Sequence, residues 1–141
     1  MKLEYMNIAI KEAEKAFKKD EVPVGAVIVY NDKIIAKAHN TRQKTHKVIN
    51  HAEILAILKA ERKLKDWRMN NCELYVTLKP CNMCESIIKE ARISKVYYIL
   101  DKFSNKKDYN KTKFVRTNVC FGHFENYNKI LSEFFENKRK N

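Results

Sequence analysis

Three residues of the types that bind zinc occur at a characteristic spacing in this 141-residue chain. His51 stands two residues before Glu53, and Cys81 and Cys84 follow in the stretch Pro80-Cys81-Asn82-Met83-Cys84. Zinc binds thiolate sulfur and imidazole nitrogen in tetrahedral geometry, and a catalytic site keeps three protein ligands so that water takes the fourth position. We therefore predict that His51, Cys81 and Cys84 bind one Zn²⁺ ion.

Glu53 is predicted to carry protons and not to bind the metal, since a carboxylate within reach of both water and substrate suits acid–base catalysis. Residues two apart do not share a face inside a helix, so His51 and Glu53 are placed at a helix entry. Pro80 is predicted as the first residue of a second helix, where its missing N–H costs nothing. Cys81 and Cys84 then share a first turn near the positive end of the helix dipole, which favours thiolate.

A Cys-x-x-Cys pair alone also fits a redox pair or half of a structural zinc site. The additional His-x-Glu and the proline before the first cysteine favour the catalytic interpretation. A structural site would need a fourth ligand, and Cys72 and Cys120 are available, although Cys72 lies at the start of a predicted strand.

The apolar pattern predicts the element order α-β-β-α-β-α-β-(β)-α. Helices are predicted over residues 2–19, 51–65 and 81–91 and over a C-terminal segment around 124–135, and strands over 22–30, 34–38, 72–78 and 94–100 and near 115–120. Asn31-Asp32 is predicted as a hairpin turn, and residues 40–50 and 101–113 as loops. This order predicts an α/β fold, a three-layer α/β/α sandwich around a mixed sheet of about five strands, with residues 1–141 as one domain.

The composition limits the class of protein and its partners. A hydrophobic content of 45% excludes disorder, and no stretch approaches membrane-spanning length. Four cysteines, two of them predicted on a metal, suit a reducing cytoplasm. Lys and Arg number 29 against 17 Asp and Glu, and the resulting net charge of +12 permits a nucleic-acid partner. AT-rich codons, which favour lysine and asparagine, would also explain this charge.

Nearly the whole chain, from about Met1 to Arg139, resembles the bacterial tRNA adenosine deaminase family, within the zinc-dependent cytidine and deoxycytidylate deaminase superfamily. The stretches that carry the resemblance are EVPVGAV at 21–27, HAEILAI at 51–57, WRM at 67–69, CELYVTLKPCNMC at 72–84, ARI at 91–93 and SEFF at 132–135. The His-x-Glu and Pro-Cys-x-x-Cys elements within them form the zinc nucleobase-deaminase signature.

The resemblance implies hydrolysis of adenosine to inosine at the wobble position of a tRNA anticodon, normally of an arginine tRNA. It also implies a homodimer with one zinc ion per subunit and with a tRNA anticodon stem-loop as its partner. By the same resemblance, Asn40 hydrogen-bonds a nucleoside flipped out of the anticodon stack, and Pro23 and Val24 form a wall of the pocket. Ala52 and Pro80 are expected to contact the substrate beside the metal.

Three features depart from the family pattern. Lys79 replaces a glutamate before the proline, and Glu85-Ser86 replaces small residues. The charged segment 101–113 stands where the family has a glycine-rich one. Its lysines are candidates for phosphate binding or are ordinary solvated residues: Lys102, Lys106, Lys107, Lys111 and Lys113.

Two other functions are alternatives. One is a deaminase of a free base or nucleotide, of the guanine or cytosine type. The other is a non-catalytic zinc module that binds RNA, which Glu53 argues against because zinc binding alone does not require that carboxylate.

Overall fold

The computed structural model describes residues 2–100, 113–116 and 121–139. Its elements in chain order are α1 (Leu3–Lys18), β1 (Gly25–Tyr30), β2 (Lys33–His39), α2 (Arg42–Thr45), α3 (Ala52–Leu64), β3 (Cys72–Leu78), α4 (Asn82–Glu90), β4 (Lys95–Leu100), β5 (Lys113–Arg116) and α5 (Phe121–Arg139). The predicted loop at 101–113, apart from Lys113, and Cys120 lie outside the described residues. No helix in the described ranges is long and apolar enough to cross a membrane.

The strands form one mixed sheet in the order β2-β1-β3-β4-β5. β1 pairs antiparallel with β2 and β3, whereas β3, β4 and β5 run parallel. The turn between β1 and β2 consists of Asn31 and Asp32, whose φ angles are 49° and 59°. Positive φ at both central residues is what a two-residue hairpin turn of type I′ requires, and Asn and Asp tolerate it.

Helices cover both faces of the sheet, which confirms the predicted α/β/α class. The first core lies between the sheet and helices α3 and α4, and the second lies between the sheet and helices α1 and α5. We call these the α3/α4 face and the α1/α5 face. Alternate residues of each strand point to opposite faces, so Ala26 and Ile28 of β1 enter the first core while Val27 and Val29 enter the second.

Helix α1 comes closest to the sheet at Gly25. A Cβ atom at this position would lie 1.9 Å from the backbone oxygen of Ala9 and 2.6 Å from the backbone nitrogen of Ala13. Only a residue without a side chain fits there. Gly25 therefore fixes where α1 lies across the start of β1.

Three sequence predictions about element boundaries are wrong. Pro80 does not begin α4: the helix starts at Asn82, and Cys81 is its N-cap with an extended backbone. The first helical bond explains this, because the Cys81 carbonyl accepts it from Glu85 N at 2.8 Å. β1 starts at Gly25 and not at residue 22, and the predicted loop at 40–50 contains the helical turn α2.

Candidate metal centre and active site

The three predicted metal ligands meet at one point. His51 Nδ1 lies 3.4 Å from Cys84 Sγ and 3.8 Å from Cys81 Sγ. The three ligand atoms all lie within 4.8 Å of one another, and the described residues contain no further member of this group. Zinc bond lengths in tetrahedral geometry predict ligand separations of about 3.5 to 3.8 Å. The donor types and the two nitrogen–sulfur distances fit a zinc ion with one position left for water.

Two helix starts bring the ligands together, as predicted. His51 is the N-cap of α3 and Cys81 is the N-cap of α4, with Cys84 in the first turn of α4. Because α3 leads into β3 and α4 follows it, both helices begin at the carboxyl end of that strand. Their dipoles point positive ends at the site, which favours thiolate ligands. Lys79, which precedes this turn, donates its backbone N–H to Leu100 O at 2.8 Å and places its Nζ 5.9 Å from the Tyr98 ring.

Glu53 lies in the first turn of α3 with only 4% of its surface exposed. Burial raises the pKa of its carboxyl to about 7, although the Glu53 backbone amide and the Cys84 thiol hydrogen-bond the carboxylate and oppose this rise. A general acid–base group works best with a pKa near the working pH. Glu53 is therefore suited to both accept and release a proton at neutral pH.

Burial makes ionisation of the ligand side chains unfavourable at this site in the absence of a cation. Burial raises the pKa of the Cys84 thiol far above its ordinary value, and the charges of Glu53 and Cys81 raise it further. Burial also lowers the pKa of His51, with the nearby charge of Arg42 as a second cause. The imidazole is thus neutral, as a metal ligand must be. A divalent cation would offset the charge of the two thiolates and of the Glu53 carboxylate.

Among the predicted substrate residues, Asn40 is connected to Ala52 and Val24 by hydrogen bonds. Asn40 is 5% exposed, and its Oδ1 accepts the backbone N–H of Ala52 at 2.8 Å. Its own backbone N–H donates to Val24 O at 3.3 Å. Pro23 is buried before Val24, and Pro80 is buried directly before Cys81. The described part of the chain shows no hydrogen bond from Asn40 Nδ2.

Sequence reasoning missed the residues that hold this arrangement in place. The buried Glu21 carboxylate accepts the backbone N–H groups of Gln43 at 3.0 Å and Lys44 at 2.9 Å, which fixes the segment between Asn40 and His51. Such partners lie more than twenty residues apart in the chain. Glu21 begins the EVPVGAV stretch that resembles the family, and this position was the one sequence signal that could have drawn attention to it. The stretch does not reveal that Glu21 bonds Gln43 and Lys44.

The described metal-ligand group has no fourth protein member. Cys72 is buried at the opposite end of β3, where burial raises the pKa of its thiol to about 11. A neutral thiol away from the site is an ordinary core residue. The structure thus gives no support to Cys72 as a fourth, structural ligand.

Comparison with known proteins agrees with this geometry. Residues 1–100 match the cytidine and deoxycytidylate deaminase zinc-binding region. The tRNA-specific adenosine deaminase of Aquifex aeolicus is 41% identical over 145 residues, which cover 97% of this chain and 95% of that protein. The Bacillus subtilis enzyme of the same name is 50% identical over 94 residues. That match covers 67% of this chain and 58% of the Bacillus protein, less than two thirds of its length.

A solved structure from a study of A-to-I editing by tRNA:A34 deaminases at the wobble position of transfer RNA has a similar fold. It is 33% identical with a TM-score of 0.74, and the match covers 81% of this chain and 97% of that one. The zinc-binding family model spans all three ligands and Glu53, and the Aquifex relative aligns over almost the full length. The chain therefore belongs to the tRNA adenosine deaminase family, within the cytidine and deoxycytidylate deaminase superfamily.

Proposed function

We propose that this chain is a zinc-dependent hydrolase that converts adenosine to inosine at the wobble position of a tRNA anticodon, with an arginine tRNA as the expected substrate. One observation carries the chemistry: the buried Glu53 carboxyl lies against Cys84, which is one of the three residues of the metal-ligand group. The RNA substrate is supported by the relatives, which are tRNA-specific adenosine deaminases.

Each site residue has a role in this reaction. His51 Nδ1 and the thiolates of Cys81 and Cys84 would hold zinc, which when bound supplies Lewis-acid activation of the attacking water. Glu53 takes one proton from the attacking water and delivers it to the ring nitrogen beside the attacked carbon. It then passes the second proton to the leaving amino group, so that adenosine and water give inosine and ammonia.

The pocket residues orient the base. Asn40 is proposed to donate from Nδ2 to the nucleoside, because its Oδ1 is already occupied by Ala52 N. That bond also ties Asn40 to the helix start that carries Glu53. The residue that binds the base and the residue that carries the proton are therefore held by the same turn. Pro23 and Val24 are proposed as the pocket wall, and Ala52 and Pro80 as further contacts beside the metal.

An RNA strand can approach this pocket over an exposed segment. All residues from Arg42 to Ile49 are exposed, and they lead to the ligand His51. The segment carries Arg42, Lys44 and Lys47, which suit contact with phosphates. The target base must leave the anticodon stack, and single-stranded loops present such bases readily. We propose that a homodimer performs this reaction in the cytoplasm.

The test is a substrate comparison with the zinc-loaded protein. Purified enzyme is incubated with an arginine-tRNA anticodon stem-loop and, separately, with free adenosine, guanine and cytosine, and inosine and ammonia are quantified. The proposal expects inosine from the stem-loop and little product from the free compounds. Turnover of guanine or cytosine without turnover of the stem-loop would instead identify a free-base deaminase.

Glu53→Gln separates catalysis from binding. We expect turnover to fall by at least about 100-fold, the usual contribution of a general acid–base group, while zinc content and stem-loop affinity stay. Glu61→Gln on the same helix is the matched control and should keep full activity. If Glu53→Gln retained activity, the proposed proton transfer would be wrong.

Stem-loop affinity should also weaken steeply with salt through counterion release.

A further inference from the structure

Tyr127 is a buried tyrosine of α5 that reaches the pocket wall. It has no exposed surface, and its hydroxyl donates a hydrogen bond to the carbonyl oxygen of Pro23 at 2.9 Å. The two residues are 104 positions apart in the chain. A buried hydroxyl needs a partner, and here the partner is the backbone of a residue proposed to line the pocket.

The same hydroxyl is also influenced by the strand that leads to the metal ligands. The Thr77 side chain, which is fully buried near the end of β3, acts on the Tyr127 hydroxyl and lowers its pKa. Thr77 Oγ1 in turn accepts the backbone N–H of Gly25 at 3.2 Å. Four residues after Thr77 the chain reaches Cys81. The hydroxyls of Tyr127 and Thr77 therefore lie where the segment before β1 meets the strand end before the ligand turn.

The Tyr127 hydroxyl keeps its proton at this junction. Burial is the main cause that raises the pKa of Tyr127, and the charge of Glu53 raises it as well. Tyr127 therefore stays a neutral hydrogen-bond donor while Glu53 exchanges protons. Its ring belongs to the core of the α1/α5 face, on the opposite side of the sheet from α3 and α4.

We propose that Tyr127 is a positioning residue whose hydroxyl sets the distance between the pocket wall at Pro23 and the turn that carries Cys81. This inference rests on the proposed function, because Pro23 matters only if a base binds against it. A bond that fixes both sides of a pocket therefore affects binding as well as stability.

The chain offers a matched control for a purely structural role. The Tyr5 hydroxyl donates to the backbone oxygen of Asp32 at 2.8 Å, in the hairpin turn at the other end of β1. Tyr5 also belongs to the core of the α1/α5 face. Tyr127→Phe and Tyr5→Phe thus remove the same kind of hydroxyl–carbonyl bond at opposite ends of one strand, and both keep the ring that fills the core.

The experiment measures KM and kcat with the stem-loop, zinc affinity by competition with a chelator, and thermal stability for both variants. We expect Tyr127→Phe to raise KM about tenfold, equivalent to one lost hydrogen bond, with kcat within about twofold. Zinc affinity should fall about tenfold, as when a residue that supports a ligand is removed. Tyr5→Phe should lower thermal stability and leave both quantities unchanged.

A change in KM or in zinc affinity that Tyr5→Phe does not share supports the proposal. It is overturned if Tyr127→Phe matches the wild type in both quantities, or if Tyr5→Phe alters them equally. If the wild type itself deaminates none of the substrates, the proposed function is wrong. The zinc comparison still decides the role of Tyr127 in that case.

Discussion

Helices cover both faces of the sheet, and the two faces bury different side chains. The α3/α4 face consists largely of alanine and aliphatic residues, with Ala52, Ala56 and Ala60 along α3. Small side chains let α3 lie close to the strands. Its first turn then meets that of α4 at one point, and this face supplies the metal ligands and Glu53.

The α1/α5 face is rich in tyrosine. Tyr75 stacks on Tyr97 with ring centroids 4.9 Å apart, and Tyr5 meets Tyr75 edge-on at 5.4 Å. Their hydroxyls, like that of Tyr127, are available to bond groups at the edge of the core. The comparison indicates that the α3/α4 face supplies the residues that react, whereas the α1/α5 face holds the strands around them in position.

The largest effect is expected from Cys84→Ser on the α3/α4 face. Serine cannot replace a buried thiolate as a zinc ligand, so zinc content should fall from about one ion per chain to near zero, and activity should be lost. Cys72→Ser is the matched control, since Cys72 is equally buried but lies outside the metal-ligand group. Elemental analysis of purified protein measures both, and zinc loss from Cys72→Ser would contradict the three-ligand site.

The division between the faces was only partly predictable from sequence. The ligands His51, Cys81 and Cys84 follow from residue type and spacing, and β3 was predicted with its observed bounds, Cys72–Leu78. Local patterns such as these are sufficient because each type of element has its own apolar period and zinc prefers particular ligand residues.

Contacts between distant segments were not predictable. Apolar periodicity indicates that Tyr127 is buried but not that its hydroxyl meets Pro23, because no local rule relates residues 104 positions apart. The helical turn α2 was missed for the same reason: its amide groups are bonded by Glu21, far back in the chain. The start of α4 was misplaced because the sequence alone does not show which carbonyl accepts the first helical bond.

An intermediate effect is expected from Gly25→Ala, which tests how closely α1 lies on the sheet. The new Cβ would overlap backbone atoms of Ala9 and Ala13, and backbone cannot move aside as a flexible side chain does. We expect a loss of about 3 kcal/mol in the free energy of unfolding, as for severe overpacking. Urea denaturation measures it.

Lys37→Ala is the control for Gly25→Ala, because Lys37 is exposed on the neighbouring strand β2. An exposed substitution should change the free energy of unfolding by no more than about 0.5 kcal/mol. Wild-type stability of Gly25→Ala would show that α1 does not dock at Gly25. The role assigned to the α1/α5 face, which is to hold the strands in position, would then be wrong.

The smallest effect is expected from Glu12→Gln, which tests how α1 holds the end of β2. The Glu12 carboxylate is buried and bonds Lys15 Nζ at 2.7 Å and His39 Nδ1 at 3.2 Å. His39 directly precedes Asn40, so this cluster and the bond from Ala52 N to Asn40 hold β2 from opposite sides. We expect Glu12→Gln to lower the free energy of unfolding at pH 7 by about 1 kcal/mol, the net value of a hydrogen bond to a charged group after partial compensation.

The effect of Glu12→Gln should depend on pH. Burial alone would raise the pKa of Glu12, but the bonds from Lys15 and His39 outweigh it and hold that pKa below its ordinary value of 4.5. A carboxylate with a lowered folded-state pKa contributes stability above its unfolded-state pKa and loses it as pH falls through the folded-state pKa. Urea denaturation from pH 7 to pH 3 should therefore show the variant and the wild type converging below about pH 4.5. Glu4 is exposed on the same helix, and Glu4→Gln should lack this convergence. If the loss in free energy of unfolding caused by Glu12→Gln stayed constant with pH, the carboxylate charge would not be what holds β2.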